Sequence, residues 1–487
     1  MSDSSGIRLI FSVVFGLVLF TGACVDPESA PDAPQAPVII YLVDTLRADR
    51  LGTYGYTGRA TSPYLDELAK KSVVFEQAYA PAPWTVPSVT AVMTSSYACE
   101  NGIATIRQRL NASIIPLAER LEAINYYTGG FYNNPMVGDA IGLDRGYAEF
   151  VEGDDTSNEW SPQVREFLAK AGGDPFYLYI HTMEPHDAFW TPYAFIQPYG
   201  HVSVDEQGRI EAAMRRLNAA SQADFLADKP PGSTEENDVI QAQAMAELED
   251  HEENFRLLYD ASVLWADKNV SDVVEVLKET GAWDRSIFIF MSDHGEEIGD
   301  HGGWYHGQSV YEELVRVPLI IHFPGDQFAG RRVETPVSLV DVMPTIFDYL
   351  DSAERCDGCR GKSLLPIIQR PENRHDEEPR ILALRTNVAF YYRPWKERRG
   401  DLNVVVRQGS WKAIWNAELG SVELYDLVSD PRELADLSGE NRALAANMEQ
   451  AAREWLERCQ KRERTPEVAP QLDEETRERM RALGYFD

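Results

Sequence analysis

Residues Ser286 to His306 read SIFIFMSDHGEEIGDHGGWYH. Ser286 to Met291 is a short run of alternating and β-branched apolar residues, the pattern of a strand buried in a sheet. Ser292, Asp293, His294 and Gly295 follow where that strand ends. In an open α/β sheet, ligands collect just outside the carboxyl ends of the strands. A carboxylate and an imidazole within one turn of each other there suit a divalent metal. Gly295, Gly299, Gly302 and Gly303 make a loop along which backbone can approach a substrate, and His306 returns towards it. Taken alone, the stretch has a plainer reading, in which His294 caps a helix and the glycines only make turns.

Outward from this stretch the chain alternates between strand and helix patterns. Leu257 to Thr280 is a long helix that delivers the chain to the Ser286 strand, and Val317 to Phe323 is a further strand. Near the start, Val38 to Val43 (VIIYLV) is apolar or aromatic throughout, as in a parallel sheet covered on both faces, and Asp44 ends it. Thr61 to Lys71 has helical spacing and Val73 to Ala78 is a short apolar run. Pro87 to Thr94 begins a helix at its polar end, Leu117 to Ile124 is amphipathic helix, and Tyr127 to Tyr132 is a strand. Phe176 to Ile180 is another strand, ending at His181. These segments predict an α/β domain over 37–369, with a large, mostly parallel sheet sandwiched by helices. A charge-rich helical insertion near 200–255 is broken at Lys229-Pro-Pro-Gly-Ser. After Gln369 the texture changes. Arg380 to Leu384, Asn403 to Arg407, Trp411 to Trp415 and Glu423-Leu-Tyr-Asp are close-set short strands, and Arg442 to Arg462 is a closing helix. Residues 370–487 are therefore expected to form a smaller α+β domain with an antiparallel sheet.

With 487 residues the chain can bury a large core, and its net charge of −32 argues against nucleic acid as a partner. That charge does not exclude a phosphate or sulfate site, because a metal inverts the local charge. Met1 to Cys24 reads as an export signal: Arg8 precedes the apolar run Leu9 to Phe20, which is short for a membrane span and ends in small residues. Gly22-Ala23-Cys24 resembles a bacterial lipoprotein processing site, with Cys24 lipidated, although Thr21 stands where leucine is preferred. The Pro-, Ala- and acid-rich residues 25–36 then form a tether, and the protein is expected in the periplasm or cell envelope. Of the remaining cysteines, Cys356 and Cys359 can close a local disulfide; a zinc site would need a second such pair. Cys99 and Cys459 are left to pair or to stay idle.

Chemistry thus gathers at separate strand ends and turns: Asp44, Trp84-Thr85-Val86-Pro87-Ser88, His181 to His186 (HTMEPH), and Asp293-His294 with His306. Each has a structural alternative, a helix cap for Asp44 and Thr85 or a satisfied core histidine for His181. Together they carry a resemblance. VDTLRADRLGTYGY (Val43 to Tyr56) resembles the start of the sulfatase family, within the alkaline-phosphatase superfamily. The likeness continues through TSPYLDELAKKSVVFEQAYAPAPWTVPS, HTMEPHDAFWTPY, LYDASVLWADKNV, SDHGEEIGDHGGWYHGQSVYEELVRVPLII and DVMPTIF. It resumes at ELYDLVSDPREL and in the tail RMRALGYFD. The resemblance implies Asp44, Asp293 and His294 as metal ligands and Thr85 as nucleophile, with His181, His186 and His306 around the transferred group.

The departures shape the expected chemistry. Sulfatases carry Cys or Ser at the head of a C/S-x-P-S-R motif, converted to formylglycine, whereas this chain reads Thr85-Val86-Pro87-Ser88-Val89. Threonine is no substrate for that conversion, so no formylglycine is expected, and Val89 removes an arginine. Thr45 replaces the second acidic residue of an Asp-Asp pair, and Phe131-Tyr132-Asn133-Asn134 replaces a GKWH segment. A threonine hydroxyl needs a metal or a base to become a nucleophile, and Thr85 could complete the ligands of one divalent ion (Ca²⁺, Mn²⁺ or Zn²⁺). The expected activity is hydrolysis or transfer of an anionic phospho- or sulfoester, with phosphoryl chemistry favoured because family members with threonine here resemble phosphodiesterases and phosphonate hydrolases. The alternatives are a sulfuric ester hydrolase working without formylglycine and an inactive substrate-binding homologue.

Overall fold

A computed structural model describes residues 35–153, 158–186, 188–226, 235–352, 356, 358–370, 380–385, 402–470, 474 and 477–478. The expected export segment with Cys24, the tether up to residue 34, the Lys229-Pro-Pro-Gly-Ser break and the tail RMRALGYFD lie outside the described residues. No helix among the described residues is long and apolar enough to cross a membrane.

Strand β1 (Val38–Val43) sits in the middle of an eight-stranded sheet. Its side chains alternate between two cores: Val38, Ile40 and Leu42 pack on one face, Ile39, Tyr41 and Val43 on the other, all fully buried. That double burial is why the run is apolar throughout rather than alternating with polar residues. The other strands are β2 (Val73–Phe75), β3 (Tyr127–Tyr132), β4 (Glu149–Glu152), β5 (Phe176–Thr182), β6 (Ile287–Met291), β7 (Leu319–His322) and β8 (Arg332–Val333). Across the sheet they run β8-β2-β7-β6-β1-β5-β3-β4. Strands β5 and β6 flank β1 in parallel, so the carboxyl ends of all three open on the same edge.

The strand expected over Val317 to Phe323 differs from a parallel one. β7 is antiparallel to both β6 and β2. The reason is the connection: residues 292–318 form a loop, a short hairpin of Glu297–Ile298 with Trp304–Tyr305, and a single helical turn. Without a long crossover helix, the chain returns beside the strand it has just left.

Helices cover both faces. Those that matter for the site are α1 (Pro63–Ala69), α2 (Thr85–Thr94), α3 (Ala98–Asn101), α4 (Ser161–Ala171), α5 (Val204–Leu226), α6 (Glu235–Asp250) and α7 (Glu252–Glu279). The expected insertion is the α5–α6 pair, whose helices pack on each other and lean on α7. Near the C-terminus, β9 (Arg380–Arg385), β10 (Asn403–Gln408), β11 (Trp411–Asn416) and β12 (Ser421–Asp426) form an antiparallel sheet, against which α8 (Arg442–Gln460) packs. Both cysteine pairs are disulfides: Cys356–Cys359 is local, and Cys99–Cys459 ties α3 to α8. Lys412 of β11 is fully buried between Glu433 at 2.8 Å and Glu312 at 3.0 Å, joining the small sheet to the loop that follows β6.

Candidate active site

Asp44 is held at the end of β1 by its own backbone, whose N–H donates to the Thr182 carbonyl at 2.8 Å. The next residue, Thr45, has φ 56°, a left-handed conformation that a β-branched residue adopts only under tertiary constraint. Two contacts supply the constraint. The Tyr259 hydroxyl of α7 donates to the Thr45 carbonyl at 2.6 Å, and the Thr45 N–H points at Asp293 Oδ1, 3.4 Å away. The Leu46 N–H donates to Ser292 Oγ, which in turn donates to the His294 carbonyl. The ends of β1 and β6 are thereby stitched together, and Asp44, Asp293 and His294 converge although some 250 residues separate them (|i−j| is 248 for Thr45 and Asp293).

Helix α2 begins at Thr85 itself, one turn's edge earlier than its proline signals, and Ser88 Oγ donates to the Asp293 carbonyl at 2.6 Å. Thr85 is fully buried, with Oγ1 3.2 Å from His294 Nε2 and 3.5 Å from Asp44 Oδ2. Placing Thr85 in the first turn sets it among backbone N–H groups that have no partner within the helix, at the positive end of the helix dipole. Val89, where the family carries arginine, is buried in the core beneath the sheet.

The donors form a tight group. Asp44, His181 and Asp293 each offer an atom within 4.8 Å of the others. His294 Nε2 lies 3.4 Å from Asp44 Oδ1 and 3.4 Å from Asp293 Oδ2. Because His294 Nδ1 meets the Gly295 carbonyl at 2.9 Å, Nδ1 carries the ring proton and Nε2 presents a lone pair to the carboxylates. Burial drives His294 down to about 3, with His306 adding to the effect, so the ring is neutral. Asp44 Oδ1 and Asp293 Oδ2 are buried with no hydrogen-bond partner. Burial and the negative charge of Asp44 push Asp293 well above the usual carboxyl range. Burial also acts to raise Asp44, but the hydrogen bond from His181 and the nearby imidazoles outweigh it and hold Asp44 low. Orphaned carboxylate oxygens facing a lone pair are what a cation would satisfy. The residues present fit a divalent ion.

His181 joins this group more closely than the sequence implied. Its Nε2 is 3.1 Å from Asp44 Oδ2 and its Nδ1 is 2.9 Å from the Tyr179 hydroxyl. His306 and His186 stand beside His294: the His306 ring is 4.5 Å from that of His294 and 5.2 Å from that of His186. His306 Nδ1 meets Glu296 Oε1 at 3.2 Å. All the residues singled out from the sequence, Asp44, Thr85, His181, His186, Asp293, His294 and His306, are therefore at one sheet edge.

Others were passed over. Asn134 Nδ2 donates to Asp44 Oδ2 at 2.7 Å, and buried Glu296 partners His306. Asn134 sits in the segment that departs from the family, so a buried polar residue just past β3 was the available signal. Glu296 lies two residues beyond His294, at a strand end where a carboxylate has reason to be noticed.

Comparison with known proteins follows the same lines. A family model described as "Sulfatase" matches residues 37–352, and one described as "N-sulphoglucosamine sulphohydrolase, C-terminal" matches residues 299–462. The chain is 22% identical to an N-acetylglucosamine-6-O-sulfatase of Bacteroides thetaiotaomicron, covering 91% of this chain and 89% of the other. It is 25% identical to a choline-sulfatase of Rhizobium meliloti, covering 82% of each. A phosphonate monoester hydrolase of Agrobacterium radiobacter shares the fold, with a TM-score of 0.60 and 20% identity over 88% of this chain and 96% of that one.

Proposed function

This chain belongs to the sulfatase family, and on that premise we propose that it is a hydrolase of sulfuric esters, using Thr85 in place of formylglycine. The expectation of phosphoryl chemistry gives way here, because the relatives matched over most of the chain are named for sulfate esters. The phosphonate hydrolase is a likeness of fold alone. The observation that carries the reading is the position of Thr85 Oγ1, 3.2 Å from His294 Nε2 and next to the orphaned oxygens of Asp44 and Asp293.

Asp44, Asp293 and His294 would hold the divalent ion, with His181 and Thr85 beside them. When bound, the ion supplies positive charge that offsets the negative charge of the nucleophile and of the transferred group. The Thr85 hydroxyl points at Asp44 Oδ2, 3.5 Å away, and that carboxylate is the acceptor left for its proton where His294 Nε2 would hold the ion. In the proposed reaction Oγ1 attacks sulfur as the sulfur–oxygen bond to the alcohol breaks. The departing oxygen takes a proton from His306 or His186. Glu296 keeps the Nδ1 side of His306 engaged, which orients the ring. Water then attacks the sulfur, sulfate leaves, and Oγ1 recovers its proton. Asn134 and the α2 N-terminus supply neutral donors where the family has lysine and arginine. The reading of Met1 to Cys24 as an export signal supports an exported protein tethered through Cys24 as the carrier of this site.

The test is a panel of p-nitrophenyl sulfate, phosphate, phosphodiester and phosphonate substrates with Ca²⁺, Mn²⁺ and Zn²⁺. Sulfate should be the ester turned over fastest, and Thr85→Ala should lower that rate by more than about 10³-fold, or 4 kcal/mol. A phosphonate or diester turned over faster than every sulfate sinks the reading. No turnover on any member leaves the inactive homologue as the better account.

A further inference from the structure

At the far end of α2, about 15 Å of helix from Thr85, a surface groove has a charge balance opposite to that of the chain. The groove has two lobes that share Glu100, Arg360 and Arg462. One lobe, of about 520 Å³, adds Arg120, Lys461 and Arg464. The other, of about 460 Å³, adds Lys362, Arg380 and Arg458, with the Tyr97 and Trp455 rings along its wall. The protein as a whole has a net charge of −32.

The groove's eight cations outnumber its four acids, of which Glu454 and Glu463 are exposed while Glu100 and Asp341 are buried and hold guanidinium groups. Glu100 is 7% exposed and takes Arg360 Nε on both carboxylate oxygens at 2.7 Å, while Arg360 is 33% exposed. Arg462, 53% exposed, reaches the same carboxylate at 3.7 Å. Buried Asp341 holds Arg380 in the same manner. These carboxylates orient the guanidinium groups and leave their outer donors to solvent. Lys362, Lys461 and Arg464 are exposed, with no carboxylate at ion-pair distance among the described residues. The frame is rigid: Cys459 in the groove wall is disulfide-bonded to Cys99, and the Cys356–Cys359 disulfide immediately precedes Arg360. The Arg360 N–H donates to the Ser95 carbonyl at 2.8 Å and the Arg464 N–H to the Glu100 carbonyl at 2.7 Å.

We propose that this groove binds a linear sulfated polysaccharide, apart from the ester-cleaving centre. Preoriented guanidiniums on an elongated track match successive anionic groups, and half-buried Trp455, edge-on to Tyr97 at 5.1 Å, offers an apolar face for a sugar ring. An aromatic wall along one of two adjoining cationic lobes fits a sugar chain better than a lipid surface. That the polymer is sulfated rests on the function proposed above. The groove then holds the polymer near the enzyme while its esters are cleaved elsewhere.

The experiment measures binding of a heparin dodecasaccharide to the full chain by titration calorimetry, with unsulfated dextran and phosphatidylglycerol vesicles as comparisons. Heparin should bind and dextran should not. The exposed pair Lys461→Ala/Arg464→Ala, and separately Lys362→Glu, should weaken heparin by about tenfold while hydrolysis of p-nitrophenyl sulfate is unchanged. Thr85→Ala should bind heparin like the wild type. The groove is overturned if both groove variants, with unchanged melting temperatures, bind heparin like the wild type. It is also overturned if vesicles bind with the same dependence on Lys461 and Arg464. Groove-dependent heparin binding without hydrolysis of any sulfate ester would defeat the activity proposed above and leave the groove standing.

Discussion

Thr85 shows how a single hydroxyl acquires a role from its surroundings. Its oxygen is fully buried at the start of α2, within reach of His294 and Asp44. Thr85→Ser keeps the hydroxyl and loses only the methyl that restricts its rotamer, so it should retain part of the activity that Thr85→Ala abolishes, measured as kcat on the best sulfate substrate. The Asp44–Asp293 pair makes a second prediction. Both carboxyls are buried, and the charge of one raises the pKa of the other. In the metal-free protein, Asp293→Asn removes that repulsion and should raise the melting temperature by about 1–3 °C. The same change should remove most of the rise in melting temperature that a divalent ion gives the wild type. A metal-free Asp293→Asn protein that melts below wild type would show that the carboxylates do not repel.

At the scale of elements, the loop after β6 is placed by two close contacts. A Cβ on Gly295 would lie 1.9 Å from the Glu313 carbonyl oxygen, so glycine is required by approach of backbone to backbone. The sequence pattern predicts a loop along which backbone approaches a substrate; at Gly295 the close approach is instead to the protein's own chain. The buried triad of Lys412, Glu312 and Glu433 fastens that loop to the C-terminal sheet. Lys412→Met removes the closest counter-charge from Glu433 and Glu312 and should cost about 3–5 kcal/mol in chemical denaturation. Adding Glu312→Gln and Glu433→Gln should recover much of that loss; no recovery would mean that the lysine acts by packing alone. Element types were legible beforehand where periodicity was strong, as in β1 and α7. The direction of β7 was not, because it depends on the length and path of the connection rather than on the strand's own residues.

For the whole molecule, several buried acids set the pH response. Burial pushes Glu184, Asp267 and Glu433 up to about 7. Their folded pKa values exceed the ordinary carboxyl values near 4, so between those limits the folded state binds more protons than the unfolded state. Their contribution to stability is full below about pH 4 and is lost as pH rises through about 7. Desolvation acts to raise Asp300 and the half-exposed Asp49, but the Arg47 guanidinium overrides it and lowers both; their contribution is fully present above about pH 4 and adds no slope near neutrality. With the divalent ion saturating, the melting temperature should therefore be lower at pH 8 than at pH 6. A melting temperature that rises over that interval would contradict the assignment. The export reading also belongs to this scale: Cys24→Ser should move the protein from the membrane fraction to the soluble one, checked by fractionation of cells.

Chain-local chemistry determined much of this before any coordinates. Unbroken apolar runs specify strands buried on both faces, and polar residues that end those runs are left at one sheet edge. Asp44, His181, Asp293 and His294 were identifiable for that reason, and the family resemblance singled out Thr85 in its turn and put them in order. The tertiary structure alone decided which side chains meet. Asn134 on Asp44, Glu296 on His306, His181 among the carboxylates, and Arg360 with Arg462 on Glu100 are all contacts set by register and packing across distant segments. Hydrophobic periodicity reports which face of an element is buried, and it carries no information about which remote polar group shares that burial.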